Sequence, residues 1–200
     1  MKTRSKVIIF LLLAAMVLVA LPASTSSQFS QEEVDKLMQG KIVRRPLELK
    51  DGNKLGGTSF IIVNASIETT WKALFNFRDY PHIFARMLET RVAATKPGHY
   101  LLEMKQGASF IGVTYYLDAQ YDERNREIDC KLVRSKPHDL DEVEGFWRLV
   151  AQPDGRTLVA YGAVISINSM LIKYWAGDEI ERGVLNAPRD LKHYIEGTPQ

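Results

Sequence analysis

Hydrophobic positions first recur at helical spacing from Ser30, where Val34, Leu37 and Met38 follow the capping-box sequence Ser30-Gln-Glu-Glu33 and Gly40 marks a stop. The pattern then changes to short apolar runs. Ile42 to Leu49 and Thr58 to Val63 read as strands joined through Asp51-Gly52-Asn53, which predicts a hairpin. Asn64-Ala65-Ser66 opens a second helix with Ser66 as its cap, and Ile67, Trp71, Leu74 and Phe75 share one face. That helix breaks before Tyr80-Pro81-His82, and Ile83, Phe84, Met87 and Leu88 predict a second short helical stretch. Strands and tight turns fill the next part of the chain: 90–96, 99–105, 109–121, 127–133, 141–151 and 157–167. Pro97-Gly98 and Pro153-Asp154-Gly155 lie at two of the turns, so these read as consecutive hairpins of an antiparallel sheet. After Gly177, a stripe of Ile180, Val184, Ala187, Leu191 and Ile195 predicts one closing helix of about 17 residues, roughly 26 Å long, kinked at Pro188.

Alternation assigns faces to the strands. Ile111, Val113, Tyr115, Leu117, Ala119 and Tyr121 share the inner face of the longest strand. Tyr100, Leu102 and Met104 point inward on the strand before it, Ile128, Cys130 and Leu132 on the strand after it, and Val143, Gly145, Trp147 and Leu149 on the next. A single helix cannot fill the concavity of so many strands, which leaves room for an apolar cavity of ligand size.

Composition is that of a globular domain: 200 residues, 46% hydrophobic, 25% charged and 10% aromatic. The formal net charge of +2 misleads, because Lys2, Arg4 and Lys6 supply three positive charges ahead of the uncharged run from Val7 to Ala20. With Pro22 and the small residues Ala23 to Ser27 behind it, residues 1–27 read as a cleaved signal peptide, processed between Ser24 and Phe29. The expected location is therefore secreted or periplasmic, with an uncleaved membrane anchor over residues 7–21 as the alternative. The mature chain has a formal charge of −1, which removes the electrostatic motive for a nucleic-acid partner.

Residue chemistry is sparse. The single cysteine, Cys130, excludes an intramolecular disulfide and thiolate zinc cages, and the scattered His82, His99, His138 and His193 form no ligand motif. Gly107-Ala-Ser109-Phe-Ile-Gly112 is one residue too long for a nucleophile elbow and joins strand to strand. Neither a metal, a cofactor nor a catalytic residue is assigned. Tyr115, Tyr121, Trp147 and His82 are polar-tipped side chains able to orient a ligand in an apolar pocket.

Three stretches carry a family resemblance. Ala65-Ser-Ile-Glu-Thr-Thr-Trp-Lys-Ala-Leu-Phe-Asn-Phe-Arg-Asp-Tyr-Pro-His-Ile-Phe84 resembles the opening helices of the START-like, or SRPBCC, superfamily. That superfamily takes in polyketide cyclase/dehydrase-like, coenzyme Q-binding and birch-pollen-allergen-like proteins. Gly145-Phe-Trp-Arg-Leu149 and Asp154-Gly-Arg-Thr-Leu-Val-Ala-Tyr161 resemble its paired late strands, so the likeness spans about residues 40–196. It implies an α+β helix-grip fold: a curved antiparallel sheet wrapped around a long C-terminal helix. Residues 28–55 would add an N-terminal helix and first strand to a START-like domain over 56–197. The implied function is an exported binding or carrier protein for a hydrophobic small molecule, a lipid or isoprenoid, with transient membrane contact. A cyclase- or hydrolase-type enzyme, or an interaction domain with a filled core, are the alternatives. The expected ligand-binding residues are His82, Phe84, Tyr100, Leu102, Met104, Val113, Tyr115, Leu117, Tyr121, Trp147, Leu171, Trp175, Ile180 and Val184. Leu171 and Trp175 belong to the apolar run Met170 to Trp175, expected at the cavity mouth.

Overall fold

The computed structural model describes residues 29–47, 54–108, 111–166 and 182–198. The expected signal peptide, the first hairpin turn and the run Met170 to Trp175 lie outside them. Eight strands form one antiparallel sheet: β1 (Val43–Pro46), β2 (Lys54–Val63), β3 (Met87–Lys96), β4 (His99–Ala108), β5 (Ile111–Asp122), β6 (Glu127–Leu132), β7 (Glu142–Ala151) and β8 (Thr157–Ser166). Their spatial order is β1-β2-β8-β7-β6-β5-β4-β3. The expected hairpins are therefore present, and the one non-local join is β2 to β8, which brings the first long strand beside the last.

The helices are α1 (Gln31–Met38), α2 (Ile67–Leu74), α3 (Tyr80–Ile83) and α4 (Ala187–Glu196), with a 3₁₀ turn at Phe77–Asp79. Both expected caps form. The Ser30 hydroxyl accepts from the Glu33 N–H while the Glu33 carboxylate accepts from the Ser30 N–H, and Ser66 accepts from the Thr69 N–H. Glu33 has a second role: Arg45 of β1 donates to both its oxygens at 2.8 Å. That guanidinium also lies 5.0 Å from the Phe29 ring and 5.2 Å from the Phe60 ring. The ion pair and the cap together hold the Glu33 carboxyl down at a pKa of about 2.

Alternation along β2 and β8 separates two apolar layers. Ile62 and Leu158 meet Phe29, Leu37 and Val43 in an outer cluster beneath α1. Ile61, Val63 and Val159 turn to the opposite, inner face and join the main core with α2, α3 and α4. A backbone contact marks this part of the sheet. Gly56 has φ of +145°, and a Cβ there would stand 1.9 Å from the Ala163 carbonyl oxygen, so only glycine fits.

One helical expectation is corrected and another refined. Phe84 is already extended, with φ −107° and ψ 121°, so Met87 and Leu88 do not continue a helix but begin β3, where Leu88 faces out. The closing stripe is interrupted at Asn186, beside the Pro188 at which a kink is expected. Residues 182–185 are helical, Asn186 is a turn, and α4 then runs for 10 residues to Gly197, whose φ of +64° ends it. Pro188 sits in the first turn of α4, where its missing N–H has no intrahelical partner to lose.

α4 packs on β2 and β8 and against α2 and α3. Leu191 is fully buried, and Lys192 donates to the Ile62 carbonyl at 2.9 Å and to Glu196 at 2.6 Å. Glu196 in turn accepts from the Asn64 N–H at 2.7 Å, and Tyr194 donates to Asp79 at 2.7 Å. These bonds tie the helix to both sides of α2.

Candidate functional site

The inner face of the sheet bounds a cavity of about 470 Å³. This lies within the range of about 300–1,000 Å³ usual for small-molecule sites. Strands β4 and β5 supply Leu102, Met104, Val113, Tyr115, Leu117 and Ala119. Ile128 and Cys130 of β6, Val143 and Trp147 of β7, and Tyr161, Ala163 and Ile165 of β8 continue the wall. The helical side contributes Phe77, Tyr80, Phe84, Val184 and Ala187. This surface is apolar because the strands alternate: each inner residue is flanked by outward ones such as Glu103, Asp118, Asp129 and Arg148.

Aromatic rings run continuously along this interior. Tyr80 packs on Phe84 at 4.8 Å, Phe84 on Trp147 at 6.0 Å and Trp147 on Tyr161 at 4.4 Å. The last contact follows from register, since Trp147 and Tyr161 are paired across β7 and β8. Tyr80 is satisfied within the protein, donating to the Leu74 carbonyl at 2.7 Å. Tyr115 and Tyr161 make no hydrogen bond to a described residue, although both line the cavity.

Burial sets the protonation of these groups. It pushes the Cys130 thiol up to about 12, helped by the negative charges of Asp129 and Asp118. It also raises Tyr115 and Tyr161 well above the ordinary phenol range, with each other's and Cys130's proximity adding to the effect on Tyr115. At neutral pH the wall therefore carries neutral hydroxyls and a neutral thiol. One part of the lining is polar, with Arg86, Gln106, Arg182, Asn186, Arg189 and Asp190. Asp190 is buried, which raises its carboxyl pKa; the Ala85 N–H, 3.3 Å away, and Arg189, 3.7 Å away, oppose the rise. Among the described residues, no group of three or more His, Cys, Asp or Glu side chains is arranged to hold a metal ion.

Eight of the expected residues line the cavity: Phe84, Leu102, Met104, Val113, Tyr115, Leu117, Trp147 and Val184. His82 does not. In the single turn α3, Tyr80 and Ile83 point inward at a spacing of three, which leaves His82 on the opposite, exposed side. Tyr100 and Tyr121 face inward but lie beyond the cavity, stacked on each other at 5.4 Å. Phe75 packs on Tyr121 at 5.2 Å and Phe77 on Tyr100 at 5.0 Å, so this end is closed by rings. Leu171, Trp175 and Ile180 fall outside the described residues. Tyr161 and Ala163 went unassigned by face in the sequence, although the alternation Val159, Tyr161, Ala163 carries the signal. Leu140, in the loop before β7, has no periodicity to reveal it.

No family model matches the sequence, and no curated protein matches it significantly. Solved structures do match. A START superfamily protein from Mycobacterium smegmatis is 18% identical, with a TM-score of 0.55 over 73% of this chain and 99% of that one. The Zhui aromatase/cyclase from Streptomyces sp. R1128 is 13% identical, with a TM-score of 0.60 over 72% of this chain and 94% of its own. A STAR-related lipid transfer protein from Xanthomonas axonopodis, as the fragment 25–204, is 14% identical, with a TM-score of 0.57 over 78% and 93%. At these identities the likeness is one of fold: the chain has the START-like helix-grip fold, an eight-stranded antiparallel sheet with the C-terminal helix packed on it.

Proposed function

We propose that this protein is an exported carrier that holds a hydrophobic small molecule of lipid or isoprenoid type between the sheet and α4, without acting on it. The cavity of about 470 Å³ and its apolar, aromatic lining are the observation that carries the reading. START-like folds are typically used for hydrophobic-ligand binding, and the Xanthomonas axonopodis match is a lipid transfer protein by its description. The aromatase/cyclase match would argue for chemistry instead. Against that stand the raised pKa values of Tyr115, Tyr161 and Cys130, which leave the inner wall neutral and poorly nucleophilic at pH 7. Export rests on the leader-like residues 1–27.

The test is mass spectrometry of small molecules extracted from the purified protein. One apolar molecule retained per chain, recovered chemically unchanged after incubation, is the expected result. A protein that retains none and binds no apolar fluorophore overturns the reading. Turnover of the retained molecule would replace carrier by enzyme. N-terminal sequencing tests export separately: the mature chain should begin between Ser24 and Phe29, and intact Met1 in a membrane fraction would contradict cleavage.

A further inference from the structure

We propose that the molecule held in the cavity carries a neutral oxygen acceptor of ketone or ester type, met by the hydroxyls of Tyr115 and Tyr161 on the mostly apolar side of the wall that β5 to β8 supply. The inference rests on the cavity-binding reading and specifies its ligand.

Tyr115 is only 4% exposed and lines the cavity from β5, while Tyr161 lines it from β8. Neither hydroxyl bonds to a described protein group, unlike the neighbouring Tyr80, whose hydroxyl is satisfied by a backbone carbonyl. Both hydroxyls face the cavity and are open to a molecule held there, whereas a wall meant only to hold hydrocarbon would carry phenylalanine at these positions. Trp147, its ring tilted against Tyr161 at 4.4 Å, adds an indole that is a donor only and makes no hydrogen bond to a described residue. This corner is therefore rich in donors, and an acceptor complements it. The acceptor is neutral because the arginines of the lining, Arg86, Arg182 and Arg189, come from the helical side, whereas β5 to β8 contribute no arginine or lysine to balance a buried anion and one carboxylate, Glu144. A carbonyl oxygen has two lone pairs and accepts from a phenol or an indole alike.

The probes are a fluorescent ketone, 6-propionyl-2-(dimethylamino)naphthalene, whose emission reddens when its carbonyl accepts a hydrogen bond, and the matching 6-propyl compound, which lacks the oxygen. The wild-type protein should bind both. After correction for partition between water and hexane it should prefer the ketone, with emission red-shifted from that in hexane. In the double variant Tyr115→Phe/Tyr161→Phe, the preference should fall about tenfold and the emission should shift blue, with the propyl compound bound at least as well as before. A preference and emission unchanged by the double variant sink the proposal while the cavity reading stands. So does hexane-like emission from the ketone bound to wild type. Binding of neither probe by wild type defeats the cavity reading and this proposal together. Should the double variant fail to fold, the wild-type emission and the two single variants decide the matter.

Discussion

Filling the cavity distinguishes it from a packed core by the sign of a stability change. Ala119 and Ala163 are both buried and both line the cavity, from β5 and β8. Three strand spacings, about 14 Å along the sheet, separate β5 from β8, but both positions open on one cavity, so each substitution is read singly. Replacing either alanine with leucine adds three carbons. If these enter open space, they bury apolar surface worth about 2 kcal/mol. Side-chain ordering takes back roughly 0.5–1 kcal/mol. The net is about 1–1.5 kcal/mol of stabilisation per site, which in a chain of 200 residues raises Tm by about 3–5 °C. If the interior is instead close-packed, the same carbons force strain and destabilise by about 1–3 kcal/mol. Calorimetry on protein refolded from denaturant, to strip any retained molecule, gives the sign directly. Binding of an apolar fluorophore should fall as Tm rises. A lower Tm for both variants would show that the cavity is not there.

Three further outcomes follow from separate parts of the molecule. Gly56→Ala places a Cβ 1.9 Å from the Ala163 carbonyl oxygen at a φ of +145°, so it should destabilise by about 3 kcal/mol or more in a urea titration; a change under 1 kcal/mol would refute the contact. The Cys130 thiol, with its pKa near 12, should react with a thiol-specific disulfide reagent at pH 8 far more slowly than free cysteine, and at the ordinary rate once the protein is unfolded in guanidinium. Glu33 has a folded pKa of about 2 against an ordinary 4.5, so its contribution is complete above pH 4.5 and disappears as pH falls through 2. Glu33→Gln should therefore be less stable than wild type by about 0.5–1 kcal/mol at pH 7, with the difference vanishing below pH 2; a gap that persists at pH 2 would contradict the ion-pair origin.

Local signals were readable in the sequence wherever one short-range rule governs the chain. Ser30 and Ser66 cap helices because each offers a hydroxyl to a backbone N–H three residues on, a relation contained within four residues. The inner faces of β4 to β7 follow from period-two alternation, which is why Leu102, Val113, Tyr115, Leu117 and Trp147 were placed correctly. His82 failed because a helix of one turn gives too few residues to fix its phase. Tyr100 and Tyr121 were assigned to the right face but the wrong end, since alternation carries no information about position along a cavity. That information comes from Phe75 and Phe77, whose rings arrive from the other layer. The polar part of the lining was missed for a similar reason. Arg86, Asn186 and Asp190 come together only when α4 meets the segment between α3 and β3, and the Ala85 N–H bond to Asp190 spans 105 residues.

The width of the sheet against the girth of one helix supplies the physical origin of the cavity. A closing helix that lies along the strands covers the sheet lengthwise and leaves much of its width open, whatever the helix length. The observed α4 has 10 residues, or about 15 Å, and its packing is concentrated on β2 and β8. From β8 to β4 the sheet extends four strand spacings, about 19 Å, whereas a helix with its side chains is only about 10–12 Å across. The inner faces of β4 to β6 therefore project Met104, Leu117 and Ile128 beyond the reach of α4, and the aromatic run from Phe77 to Phe84 closes over only one side of them. What limits α4 is local: Pro188 tolerates only a first-turn position, and Gly197 terminates the helix at a φ of +64°. Cavity width is therefore governed by how many strands one helix can cover, and cavity chemistry by which inner positions of β5 to β8 carry a polar tip.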